Sequence, residues 1–149
     1  MIYQKPDKAQ FTDMLQMIIG PDAEVAECGS PDASSISHTA VYIDDSGEAV
    51  ASCACALPTA AALGCALSMI PPGGAEGMVE DKELTGMATD NLYEVMNILS
   101  SLLMSDKTAH LKLAKVEQGG SARVSGEAEE AYSLTLGNYG SGELIFNFC

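Results

Sequence analysis

The stretch Leu84-Thr85-Gly86-Met87-Ala88-Thr89-Asp90-Asn91-Leu92-Tyr93-Glu94-Val95-Met96-Asn97-Ile98-Leu99-Ser100-Ser101-Leu102-Leu103 decides how this chain is read. Turned at about 100° per residue, it gathers Leu84, Ala88, Leu92, Val95, Leu99 and Leu103 on one side, with Met96 and Leu102 at the margins. Asp90, Glu94, Asn97 and Ser101 fall opposite them in a single row, because they are spaced by four, three and four residues. An apolar stripe has to be buried, so the pattern predicts one long helix over residues 81–105 lying on a core, with the polar row facing outward. A solvated face is polar without any function. Two details of this one go further. Asp90 and Glu94 are like charges one turn apart, a pairing that costs a few tenths of a kcal/mol. Asn97 is a poor mid-helix residue, because its amide competes for backbone hydrogen bonds.

Working outward, Phe11, Met14, Leu15, Ile18 and Ile19 recur at helical spacing over residues 10–19, and Gly20-Pro21 stops that helix. Residues 29–32 read as a loop. Residues 35–44 and 48–56 are predicted strands of a hairpin about Asp45-Ser46-Gly47. Pro58 suits the first turn of a short helix over 58–69, rich in Ala and Leu. Pro71-Pro72-Gly73-Gly74 then breaks the chain, and after the long helix residues 109–116 read as a third strand. Residues 131–136 and 143–148 bracket Gly137-Asn138-Tyr139-Gly140-Ser141-Gly142, a final hairpin. This order predicts an α+β fold: a largely antiparallel sheet with two or three helices packed on one face, formed by one domain over residues 1–149. The apolar run Leu144-Ile145-Phe146-Asn147-Phe148 leaves two readings open. As an uncovered sheet edge it would pair with a second copy in a homodimer; as a central strand it would be core.

Composition excludes several classes of function. Seven Lys plus Arg against 21 Asp plus Glu leave a formal net charge of −14, which repels nucleic-acid phosphate and anionic lipid. The beginning, Met1-Ile2-Tyr3-Gln4-Lys5-Pro6, has no apolar run of signal-peptide length. The longest apolar stretch, residues 60–70, is far short of the roughly 20 residues of a membrane span. A cytoplasmic location is the expectation. The cysteines, Cys28, Cys53, Cys55, Cys65 and Cys149, are odd in number and scattered, so reduced thiols are expected. Cys53 and Cys55 lie two apart in a strand-like run and share a face, as small core residues; a metal site would need further ligands. No Gly-Lys-Ser/Thr phosphate loop, G-x-G-x-x-G or G-x-S-x-G motif occurs. His38 and His110 alternate with apolar residues and read as surface or edge histidines rather than catalytic bases.

Asp90-x-x-x-Glu94-x-x-Asn97 resembles the [Asp/Ser]-x-x-x-Glu-x-x-Asn signature of the CheC/CheX/FliY chemotaxis phosphatases. Residues 58–70, with Ala-Ala-Leu-Gly-Cys-Ala-Leu-Ser-Met-Ile, are similar to that family's small-residue helix, and a short acidic connection leads from it into the motif helix. A leading helix ending in Met17-Ile18-Ile19-Gly20, then a strand hairpin, follows the CheX-like order. Two positions depart from the pattern. Gly120 stands where the family often has a proline, and Ser101 where a glycine usually follows the Asn. No second Glu-x-x-Asn occurs, so the resemblance is to one-site CheX rather than two-site CheC.

The resemblance implies hydrolysis of the phosphoaspartate on a CheY-like response regulator. In that family the Glu, here Glu94, binds a regulator lysine, and the Asn, here Asn97, orients the attacking water; Asp90, Glu94 and Ser101 would contact the partner. The implied Mg²⁺ is carried by the regulator, so no cofactor is expected on this chain. Such chemistry needs positioning more than covalent help. An amide can both donate to and accept from a water, and a carboxylate one turn away can hold a cation. The alternative is a non-catalytic CheX-like module for dimerisation or regulator binding. Whether Asn97 faces outward decides between an available site and none.

Overall fold

The structure is a computed structural model, described over residues 4–105, 108, 110–125 and 128–148. Ala109, the first residue of the expected strand 109–116, lies outside the described residues, as do Cys149 and Met1, Ile2 and Tyr3. In chain order the elements are α1 (Lys8–Ile18), β1 (Ala23–Glu27), β2 (Ile36–Ile43), β3 (Ala49–Ala56), α2 (Leu57–Ala66), α3 (Pro72–Asp81), α4 (Gly86–Leu99), β4 (Lys112–Gln118), β5 (Ala128–Leu136) and β6 (Ser141–Phe148), with a 3₁₀ turn Ser100–Leu103 after α4. The six strands form one sheet in the order β1-β5-β6-β3-β2-β4, antiparallel at every neighbour.

The helices cover one face. Phe11 and Leu15 of α1, the Ala-rich body of α2 and the Ala88, Leu92, Val95 and Leu99 stripe of α4 join one core with Ala40, Tyr42, Cys53, Cys55, Tyr132, Phe146 and Phe148 from the sheet. Phe11 meets Tyr132 and Phe146 edge-on, with ring centres 5.3 and 5.8 Å apart. Ala54, Ala131 and Ile145, which alternate with these, make a smaller cluster on the other face with Ile36, which precedes an irregularity in the register before His38. Cys53 and Cys55 are buried side by side as core residues; burial holds the Cys55 thiol up at about 12 and that of Cys53 well above its usual range.

Several expectations are corrected. The helix expected over 81–105 is shorter: α4 runs Gly86–Leu99 and passes into the 3₁₀ turn, and a separate helix, α3, ends at Asp81. Lys82 takes the left-handed conformation (φ 56°), and the amides of Lys82 and Glu83 bond back to Val79 and Met78, closing α3. Thr85 then caps α4 by accepting from the Ala88 amide at 3.2 Å. Leu84 is buried, but from the connection between the two helices. Pro71-Pro72-Gly73-Gly74 opens a helix as well as ending a turn. Pro71 is extended and Pro72 sits in the first turn of α3, where a missing amide costs nothing.

The strand order decides one open reading and corrects one expectation. β6 lies between β5 and β3, so it is core rather than an edge, and β1 and β4 are the edges. Self-pairing through the C-terminal strand is therefore closed off. His38 is buried on β2, which is paired on both sides, and burial depresses its pKa. The expected surface or edge position does not hold, because local alternation does not reveal how many strands flank a given one. Among the described residues no helix is long and apolar enough to cross a membrane.

Candidate functional site

The candidate site stands on α4, and its position is set from behind by α2. Gly64 allows the close crossing: a Cβ there would come within 2.6 Å of the Ala88 carbonyl oxygen. Beside the crossing, Asn91 Nδ2 donates to the Gly64 carbonyl at 2.8 Å and to Ser68 Oγ at 2.7 Å. Tyr42, fully buried, donates its hydroxyl to the Met96 carbonyl at 2.6 Å from the sheet side. That carbonyl is available because the chain tightens after Leu99, where the Ser100 amide bonds to Asn97 rather than to Met96. The backbone on both sides of Asn97 is thus held by buried partners.

On the outer face Asp90, Glu94 and Asn97 are all exposed, and among the described residues their side chains make no hydrogen bond and no ion pair. Three polar groups therefore stand on one ridge, without partners in their own chain. Ser101 is different. It lies in the 3₁₀ turn, where each residue turns about 120° rather than 100°, which carries it off the row. Its hydroxyl donates to the Ile98 carbonyl at 2.9 Å and lies 3.9 Å from Met14 Sδ, toward α1. The structure brings together Asp90, Glu94 and Asn97, and sets Ser101 to one side. Gly120 lies far from the ridge, next to Ile36 in the cluster on the opposite face of the sheet.

Next to the ridge is a groove the sequence did not announce. It has a volume of about 620 Å³ and is lined by Met14, Met17, Ile18, Met69, Ile98 and Tyr139 among others. Met17 and Met69 are 86% and 87% exposed. Met69, in the turn that follows α2, is in the left-handed conformation (φ 59°), with its own amide bonded to Ala66 and that of Ile70 to Cys65. This position favours glycine, and a side chain here costs about 1–2 kcal/mol. Only the run of bonds that closes α2 betrays the position; the residue type conceals it. Among the described residues no group of three His, Cys, Asp or Glu is placed to hold a metal.

This six-stranded sheet, with its helices on one face, is the fold of the CheC/CheX/FliY proteins. The chain is similar to FliY from Thermotoga maritima, at 12% identity and a TM-score of 0.63 over 92% of this chain and 81% of that one. It is similar to the chain in a CheX–CheY complex with BeF3 and Mg²⁺ from Borrelia burgdorferi, at 14% identity and a TM-score of 0.55 over 96% and 98%. A FliM–SpeE complex from H. pylori also matches, at 8% identity and a TM-score of 0.57 over 95% and 80%. No protein-family model matches the chain, and no curated protein sequence does.

Proposed function

We propose that this chain acts on a CheY-like response regulator and hydrolyses its phosphoaspartate. One observation supports this above all: Glu94 and Asn97 are exposed next to each other on a convex helix face, and among the described residues their side chains have no partner. A helix ridge of this kind enters a shallow cleft. Glu94 then holds a cation of the regulator, and Asn97 places its amide where it can accept from and donate to the attacking water. The water's oxygen bonds to phosphorus as the bond from phosphorus to the aspartyl oxygen breaks, releasing inorganic phosphate and the free carboxylate. The protein's share is positioning, which is most of what phosphoryl transfer requires. Mg²⁺ belongs to the regulator, and this chain contributes no cofactor. Asp90 extends the negative face toward the partner, and Ser101 contributes only at the margin.

Support comes also from the fold, which is shared with a CheX solved in complex with CheY. A second reading keeps the fold and drops the reaction, leaving a regulator-binding or dimerisation module. The same fold occurs in a FliM solved with SpeE, so this architecture is found in more than one kind of complex. Mixing the purified chain with phosphorylated CheY-like regulators of the same genome separates the two readings. Faster loss of phosphate supports the phosphatase, whereas binding of a regulator whose phosphate lifetime stays the same supports the module.

A further inference from the structure

We propose that the methionine-lined groove is the anchor half of the partner surface whose polar half is the Asp90–Glu94–Asn97 ridge, and that it takes an apolar side chain bordered by Lys or Arg on the same CheY-like regulator. The proposal rests on the reading above and adds what the partner must present. Groove and ridge are side by side: Ile98 lines the groove, follows Asn97 directly and stands one turn from Glu94 on the same helix face.

Exposed apolar bulk is concentrated here. Of the large apolar side chains exposed among the described residues, Met17, Met69 and Ile98 line the groove, and Met87 and Tyr93 lie on α4 with the ridge. Met69 carries the sharpest signal. It holds a left-handed backbone that glycine would occupy without strain, yet its side chain is 87% exposed and gains little packing within the chain. Such strain at Lys82 only closes a helix; at Met69 it coincides with an apolar side chain on the groove, which a contact outside the molecule would explain. Thioethers suit this, since they reshape around an incoming group.

Charge selects the occupant. Among the described residues no Lys or Arg lines the groove, Glu94 stands one turn from its Ile98, Asp90 lies a turn beyond, and neither carboxylate makes an ion pair. Lys5 and Arg123 are engaged elsewhere, with Glu130 and Glu129. A second copy of this chain would bring its own net charge of −14 against the acidic ridge, so a basic-bordered partner fits better than self-association.

The test uses the full chain and the CheY-like regulators of the same genome, each loaded with BeF3 and Mg²⁺, with binding measured by calorimetry. Met69→Gly and the double variant Met17→Ser/Met69→Gly should keep or raise the melting temperature, since glycine relieves the left-handed position and both side chains are exposed. Their Kd for the regulator should rise roughly tenfold or more, the effect of removing an interface anchor. Unchanged Kd in both variants, with turnover still lost in Asn97→Ala, overturns the groove and leaves the phosphatase standing. Absence of binding by the wild type to every regulator overturns both. Light scattering that shows the groove variants converting a dimer to monomer assigns the groove to a second copy and likewise overturns the proposal.

Discussion

Helices α2 and α4 cross at Gly64 and Ala88, yet their sequences answer to different demands. From Thr59 to Ala66 every residue of α2 is buried, so no face of it is free and each position is limited by size. Helix α4 buries Ala88, Leu92, Val95, Met96 and Leu99 and leaves Asp90, Glu94 and Asn97 in solvent. A helix buried all round serves as a spacer that fixes where its neighbour lies. A helix buried on one side can carry groups whose loss the fold does not feel. The candidate site thus depends on α2 for its position, and the outer face of α4 supplies its exposed polar groups.

The largest effects are expected inside the shared core. Leu99→Ala should destabilise by about 2–5 kcal/mol, the usual range for truncating a buried leucine, read from denaturant unfolding. An unchanged midpoint would mean that the apolar stripe of α4 is not what the sheet packs on. Gly64→Ala comes next and has a diagnostic sign. In an ordinary helix interior this change stabilises by roughly 0.5–1 kcal/mol. Here the added Cβ meets the Ala88 carbonyl, and a loss of about 1–3 kcal/mol is expected from overpacking. A stabilised Gly64→Ala variant would break the claim that α2 is a close-fitting spacer. Asn91→Ala should cost about 1 kcal/mol, because Ser68 and the Gly64 carbonyl lose their shared donor at the edge of the crossing. The outer face should respond least. Asp90→Ala or Glu94→Ala should move stability by no more than about 0.5 kcal/mol, and relief of like-charge repulsion makes the sign favourable. A loss of several kcal/mol on removing Glu94 would show that the ridge is structural.

The core stripe and outward row of α4 were legible because an amphipathic period survives any change in the surroundings. The break at 82–85 was not, since Lys82 occupies a left-handed position where glycine is the usual marker. Met69 hides the end of α2 in the same way. Helix α3 was obscured by two glycines and two prolines, a composition that ordinarily ends helices; burial of Ala75 and Met78 overrides it. Ala23-Glu24-Val25-Ala26-Glu27 has weak strand propensity, and its strand state comes from pairing with β5. The places of β6 and His38 within the sheet depend on strand order, which alternation along one strand does not encode. At the site, Asp90, Glu94 and Asn97 followed from helical spacing, whereas the displacement of Ser101 depends on a 3₁₀ turn and the groove on the ends of separate helices.

If Asn97 is catalytic as proposed, it is a side chain that the fold does not need. Asn97→Ala tests it, with melting temperature and regulator dephosphorylation measured on the same preparation. The expected result is a melting temperature no lower than wild type, with loss of the acceleration that the wild-type chain gives to phosphate release. A variant that melts normally and accelerates as well as the wild type would contradict it.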